Sequence, residues 1–342
     1  MVADGPSDIP DDAATAPADE AEVVWEPWRE DVFLPGYQAR TMRLVGARRY
    51  PEEGEGELTA SLVRRNKPSH SRAVLYIHGW NDYFFQTHLA DVWDTLGYDF
   101  YALDLRRYGR ALHDGELAGY IDDLADYDLE IDAAVKRVRR HHETVVINAH
   151  STGGLTAALW ADRHPGVIAG LVLNSPWIDL QASSIVRAVA PTIIRSLASR
   201  VATRALPWRD NGNYARALHT SLGGDWDWDL AVKTSPSQPV RAGWLRAVMG
   251  GHAQIAAGID IDCPVLMLIS ARSDFRRDWS DDFLSADTVL DVKRLAARAA
   301  NLGRHVTLVR LDGAMHDVVL SAEPVRERAF DEMRRWSSAY VR

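Results

Sequence analysis

Val145-Val146-Ile147-Asn148-Ala149-His150-Ser151-Thr152-Gly153-Gly154-Leu155 joins an apolar, β-branched run to a serine among small residues, and an apolar-periodic stretch follows to Arg163. This order predicts a strand, a sharp turn and a helix. A serine at the apex of such a turn is forced into a strained backbone conformation, with its hydroxyl exposed above the sheet. Small neighbours let strand and helix approach closely. Ser151 is therefore the candidate nucleophile. The usual pattern is G-x-S-x-G; here Ala149 takes the first position, and alanine is nearly as small.

Working outward, further short β-rich runs alternate with helical patterns. They are Arg40 to Val45, Leu58 to Arg64, Ala73 to Ile77, Asp99 to Leu103, Ile168 to Leu173, Val265 to Ser270 and Val306 to Leu311. With Thr144 to Asn148 this makes eight strands and about six helices. Strands apolar on both faces, separated by helical segments such as Ala118 to Arg139, indicate an α/β fold: a mostly parallel sheet flanked by helices. About 90 residues separate Leu173 from Val265, too many for a crossover. Residues 182–258 are read as a helical lid inserted after the sixth strand, with Ile185 to Ala205 at helical spacing. Residues 25–181 and 259–342 form the core.

Two loops at strand ends carry the remaining chemistry. Val74 to Ile77 runs into His78-Gly79-Trp80-Asn81, where a glycine lets backbone N–H groups turn toward the site. The N–H groups of Trp80 and Thr152 are the candidate oxyanion hole, worth about 3 kcal/mol per donor in the transition state. Val306 to Leu311 precedes Asp312-Gly313-Ala314-Met315-His316-Asp317. A histidine just past a last strand can reach over the sheet edge to a serine, so His316 is the candidate base. His113, His141, His142, His150 and His252 read as surface or packing histidines.

From about Gln38 to Arg342 the chain resembles the α/β-hydrolases, specifically the lid-bearing group of monoglyceride lipases, lysophospholipases and serine aminopeptidases. The resemblance rests on His78-Gly79, Asp104-Leu105-Arg106-Arg107-Tyr108-Gly109, His150-Ser151-Thr152-Gly153-Gly154 and Gly313-Ala314-Met315-His316-Asp317. It implies the α/β-hydrolase fold and a triad in the order serine, acid, histidine. Three aspartates compete for the acid. Asp179 follows the sixth strand directly, in Asn174-Ser175-Pro176-Trp177-Ile178-Asp179, and a short tether holds a carboxylate firmly; it is preferred. Asp287, in Asp287-Thr288-Val289-Leu290, resembles the D-x-V-V pattern of many relatives but requires an excursion over 271–286; it comes second. Asp274 lies just past the seventh strand, where most relatives place their acid, and ranks third.

The implied activity is hydrolysis of a carboxylic ester with an apolar or aromatic acyl group, including a lactone, since the layout is also similar to bacterial hydrolases that open macrolactones such as zearalenone. Gly79 and Tyr83 are the expected substrate contacts, with Phe84 and Phe85 adding aromatic surface. A serine-aminopeptidase-type peptidase or amidase is the alternative. It is disfavoured because residues 182–258 carry eight Arg, one Lys and four Asp, a poor environment for a substrate amine. A non-catalytic small-ligand-binding member of the same fold is a further alternative. No cofactor and no metal are expected, because H-E-x-x-H and phosphate-loop spacings are absent.

Composition sets the outer bounds. The 342 residues are 46% hydrophobic and 25% charged, as in ordinary globular proteins. The single Cys263 allows no internal disulfide, which fits a reducing compartment. Of the net charge of -9, seven acids fall in residues 1–24, which hold no Lys or Arg. That segment reads as a disordered acidic leader, and the remainder, near neutral, lacks the basic footprint that nucleic acid requires. With no signal-like or membrane-spanning stretch, the expected location is cytoplasmic. Trp25, Trp28, Phe33 and Leu34 are expected to pack on the body or on a second subunit, which leaves a homo-oligomer open.

Overall fold

In the computed structural model, residues 22–341 are described apart from 66, 181–193, 195 and 208–209. Ten strands form one sheet: β1 (Glu22–Trp25), β2 (Arg29–Glu30), β3 (Gln38–Val45), β4 (Leu58–Arg64), β5 (Arg72–Ile77), β6 (Tyr98–Asp104), β7 (Thr144–His150), β8 (Gly170–Asn174), β9 (Val265–Ser270) and β10 (Val306–Leu311). Their order is β1-β3-β4-β6-β5-β7-β8-β9-β10, with β2 also on β3. From β6 to β10 every pairing is parallel; β1, β2, β3 and β4 add antiparallel pairs at one edge.

The described helices are α1 (Thr87–Thr95), α2 (Asp128–Arg139), α3 (Ser151–Arg163), α4 (Asn213–Leu218), α5 (Ala242–Ala257), α6 (Val292–Arg298) and α7 (Glu323–Tyr340). Alternation along the strands explains why both sheet faces are covered. Leu75, Ile147, Leu171 and Met267 enter a core shared with α2, α3, α5 and α6. Their neighbours Val74, Val146, Val172 and Leu266 enter the opposite core, shared with α1 and α7. In α2, Ile131, Ala134, Val135 and Val138 recur at helical spacing and are buried. Each fully buried aliphatic side chain of this kind contributes roughly 1.5–3 kcal/mol.

Two expectations change. The sheet has ten strands rather than eight, and residues 22–24, read as part of a leader over 1–24, belong to it: Glu22, Val23 and Val24 pair with Val45, Leu44 and Arg43, while the rest of that segment lies outside the described residues. Acidic composition hid a Val-Val-Trp run that needs only one partner strand. The residues that follow pack on the body of the same chain. Arg64 lies 4.0 Å over the Trp28 ring, Phe33 packs 5.2 Å from Tyr83, and Asp31 pairs with Arg110 at 2.6 Å. Between β8 and β9 the insert contains α4, α5 and a helical stretch at 196–201; 185–193 and 195, within the run Ile185 to Ala205, lie outside the described residues.

The strand order also fixes where a site can form. Strand β6 lies on one side of β5 and β7 on the other, so the winding reverses between β5 and β7. Loops leaving the carboxyl ends of those two strands diverge and open a crevice. They are the loops of His78-Gly79-Trp80 and of Ser151.

Candidate active site

Ser151 begins α3 with φ +52°, a left-handed conformation that costs a non-glycine residue roughly 1–3 kcal/mol. The turn is tight because of Gly153. A Cβ at that position would come within 2.2 Å of the His78 carbonyl oxygen, so the first turn of α3 presses on the end of β5. Trp177 N–H donates to the Ser151 carbonyl at 2.9 Å and braces the elbow from β8.

His316 meets this serine: its Nε2 lies 3.1 Å from Ser151 Oγ, and its Nδ1 lies 3.0 Å from Asp287 Oδ2. With Nδ1–H donating to the carboxylate, Nε2 is left to accept the serine proton, the arrangement a general base requires. The other Asp287 oxygen accepts from Val289 N at 2.8 Å and Leu290 N at 2.7 Å, so the carboxylate is locked and fully buried. Behind the imidazole, Asn174 at the end of β8 donates to Asp317 at 2.6 Å and accepts from Val318 N at 3.1 Å. Ser270 Oγ donates to the Ala314 carbonyl at 2.6 Å. These bonds fix the loop that delivers His316.

The ordering of the acids is corrected. Asp179, preferred in the sequence, pairs with Arg298 of α6 at 2.8 Å and makes no hydrogen bond to His316. Ile178 is drawn into the core, which turns the chain away before Asp179 can double back. Asp274 is held by Arg276 in its own loop. Asp287 succeeds because the 271–286 excursion closes on itself: Ser273 bridges Asp287, Asp274 N donates to Asp287 O at 2.9 Å, and Ser273 Oγ donates to Leu290 O at 2.6 Å. In space, Asp287 therefore stands at the end of β9.

On the other side of Ser151, Gly79 and Thr152 line a small apolar recess walled by Tyr108, Leu124, Tyr127, Leu155 and Trp244. Its free space of about 10 Å³ is of the order of one water. Thr152 is the second residue of α3, where a backbone N–H has no carbonyl one turn below it in the helix. His78 Nε2 accepts from Leu105 N at 3.1 Å, so its Nδ1–H donates to Gly79 O at 2.8 Å and steadies the loop before Trp80. Tyr83 does not line the recess. It is 2% exposed and its hydroxyl accepts from Asp229 N at 3.0 Å, so the expected substrate contact is corrected to a packing role. Phe84 and Phe85 are likewise buried, because their rings fill the core between α1 and the insert.

Sequence reasoning missed a buried polar group beside the imidazole. His150, read as a packing residue, lies with its ring 5.0 Å from that of His316, and burial pushes its pKa below the ordinary value. The Tyr214 ring of α4 lies 5.8 Å from His316 on the insert side. Lys233 Nζ donates to Asp82 Oδ1 at 2.7 Å, both residues buried. The one readable signal was position: His150 and Asp317 adjoin Ser151 and His316, whereas Lys233 is an isolated lysine in the insert. Among the described residues, no group of three or more His, Cys, Asp or Glu side chains is placed to hold a metal ion, and no helix is long and apolar enough to cross a membrane.

A serine on a strained strand-to-helix turn, hydrogen-bonded to a histidine from beyond the last strand of such a sheet, defines an α/β-hydrolase. The chain belongs to the family described as serine aminopeptidase S33, whose model matches residues 68–323. It is 24% identical to lysophospholipase L2 of Escherichia coli K12 over 308 residues, covering 81% of this chain and 83% of that protein. Among solved structures it resembles a soluble variant of the Saccharomyces cerevisiae monoglyceride lipase (TM-score 0.60, 18% identity, 94% of this chain and 97% of the other). It also resembles the Paleococcus ferrophilus monoacylglycerol lipase (TM-score 0.57, 16% identity, 83% and 100%). At these identities the structural likeness speaks for the fold.

Proposed function

We propose that the protein hydrolyses carboxylic esters with an apolar or aromatic acyl group through an acyl-enzyme on Ser151. The observation that carries this reading is the unbroken chain Ser151 Oγ, His316 Nε2, His316 Nδ1, Asp287 Oδ2, with links of 3.1 and 3.0 Å. Ser151 Oγ attacks the ester carbonyl as its proton passes to His316 Nε2. The oxyanion forms beside the N–H groups of Trp80 and Thr152. Collapse of the tetrahedral species expels the alcohol, which takes the proton from His316; water, deprotonated by His316, then releases the acid and restores Ser151. Asp287 holds the imidazole tautomer and stabilises its cation.

The side chains beside Gly79 and Thr152 (Tyr108, Leu124, Tyr127, Leu155 and Trp244) are largely apolar, which supports an apolar acyl group over a charged one, although the space they enclose here is only about one water in size. The names of the lysophospholipase and monoglyceride lipase relatives point the same way, toward an ester of a long acyl chain. The family description favours a second reading, aminopeptidase activity. Against it, the ammonium of Lys233 already holds Asp82, the buried acid of this loop.

The test is labelling by a fluorophosphonate probe, followed by hydrolysis of p-nitrophenyl esters, a lysophospholipid and a macrolactone against aminoacyl anilides. Wild-type protein is expected to label and to cleave the esters, and Ser151→Ala is expected to lose both, with turnover falling by about 10⁶. Faster cleavage of the anilides would replace the esterase reading with the peptidase one. Folded protein that neither labels nor turns over any ester would leave a ligand-binding fold.

A further inference from the structure

Four consecutive residues beyond Gly79 are each held by the insert. The Trp80 ring packs 4.0 Å from that of Trp244 in α5. Asn81 donates from Nδ2 to the Thr234 carbonyl at 2.8 Å, while its Oδ1 accepts from Thr234 Oγ1 at 3.0 Å and Gln238 N at 3.3 Å. Asp82 takes the Lys233 ammonium at 2.7 Å, and Tyr83 takes the Asp229 N–H at 3.0 Å. All of the insert partners fall within residues 229–244.

Two features show that this contact constrains the loop. Asn81 has φ +51°, a left-handed conformation that asparagine accepts more readily than other non-glycine residues, and its side-chain bonds given above all end on the insert, which holds it there. Lys233 is 6% exposed and its ammonium lies 4.9 Å from the Phe85 ring and 5.0 Å from the Trp228 ring, so it has exchanged water for Asp82 and aromatic faces. Burial works against the Asp82 charge, but Lys233 first, then His150 and His78, more than offset it and hold the carboxyl below its ordinary range. A buried ion pair of this kind is weak evidence for stability and better suited to fixing one arrangement of two elements.

We infer that Lys233 and Thr234 are positioning residues: seated on Asp82 and Asn81, they orient the peptide that presents the Trp80 N–H to the developing oxyanion. The insert then assembles part of the catalytic machinery, and its seating and catalytic competence are one event. This rests on the reading of Ser151 as nucleophile and of Trp80 as oxyanion donor.

The decisive variant is Asp82→Asn combined with Lys233→Met, which removes both charges and strands neither. The readouts are kcat and KM for p-nitrophenyl butyrate and the inhibition constant of an alkyl trifluoromethyl ketone, whose serine adduct carries the oxyanion. Misplacing one donor is expected to lower kcat by roughly 10- to 100-fold and to weaken the ketone in parallel, with KM changed less than about threefold. Folded double variant with unaltered kcat and ketone affinity, or with a loss confined to KM, overturns the inference. Should the double variant fail to fold, Thr234→Val decides instead: a fall of about threefold in kcat and in ketone affinity supports the positioning role, and no change in either overturns it. Wild-type protein inert toward both ester and fluorophosphonate would instead sink the Ser151 reading beneath it.

Discussion

The loop that carries His316 and the loop that carries Trp80 leave the sheet on opposite sides of β7, and they are anchored by different parts of the chain. The partners of the first are mainly core residues: Asn174 at the end of β8, Ser270 at the end of β9, and Ser321 just beyond the loop, whose Oγ accepts from Met315 N at 2.9 Å; Gln86 and the Tyr214 ring add one contact each from outside that set. The partners of the second come largely from residues 229–244 of the insert. The histidine loop is thus tied chiefly to the ends of the central strands. The Trp80 loop is held by a segment whose Trp244 also walls the recess beside Thr152, so on the function proposed above turnover is linked to how the insert is seated.

The sharpest way to break this contrast is to exchange the acids. Asp287→Asn reverses the tautomer that the imidazole needs, and kcat is expected to fall by about 10⁴ with little change in melting temperature; comparable activity in that variant would remove the core-held half of the comparison. Steady-state kinetics on a p-nitrophenyl ester measure it.

A middle-sized effect probes the joint between the halves. His252 of α5 donates from Nε2 to the Trp177 carbonyl at 2.7 Å, and its Nδ1 is buried without a partner among the described residues. Burial lowers its pKa from 6.5 to about 4, against smaller opposing contributions from the Trp177 bond and Asp179. The unfolded chain therefore binds more protons than the folded one between those values. Stability is expected to decline as pH falls from about 6.5 and to have lost about 3 kcal/mol from this group below about 4. His252→Gln is expected to flatten that part of a melting-temperature profile. An unchanged slope in the variant would show that the insert is not joined to β8 through this imidazole.

The smallest effect belongs to the acid that the sequence favoured. Asp179 and Arg298 form a part-exposed pair, worth about 0–1 kcal/mol. Asp179→Asn is expected to leave kcat within about twofold and to move the melting temperature by no more than a few degrees. A loss approaching that of Asp287→Asn would put the acid back on β8.

These outcomes also mark what local sequence can and cannot carry. The central strands β5 to β9 were legible because residues apolar on both faces can only be buried from both sides, β3 because its apolar residues alternate, and Ser151 because a tight turn demands small neighbours. His316 was legible from its place after the last strand. Asp287 was not chosen, because separation along the chain was taken for separation in space, and the Ser273 to Asp287 bridge that cancels it is a tertiary contact. Lys233 and Asn81 were invisible for the same reason. Nothing around an isolated lysine signals a carboxylate 151 residues away.

Asp31 bears on how the chain is trimmed. The Arg110 guanidinium is buried between Asp31 and Asp104, and it also donates to the Phe84 carbonyl at 3.2 Å, inside the loop that begins at His78. A version shortened past Leu34 deprives a desolvated cation of one of its two counter-charges and strips the Phe33 ring from Tyr83. The stretch from Asp31 to Leu34 is therefore no spare tail but a strap on the loop that begins at His78.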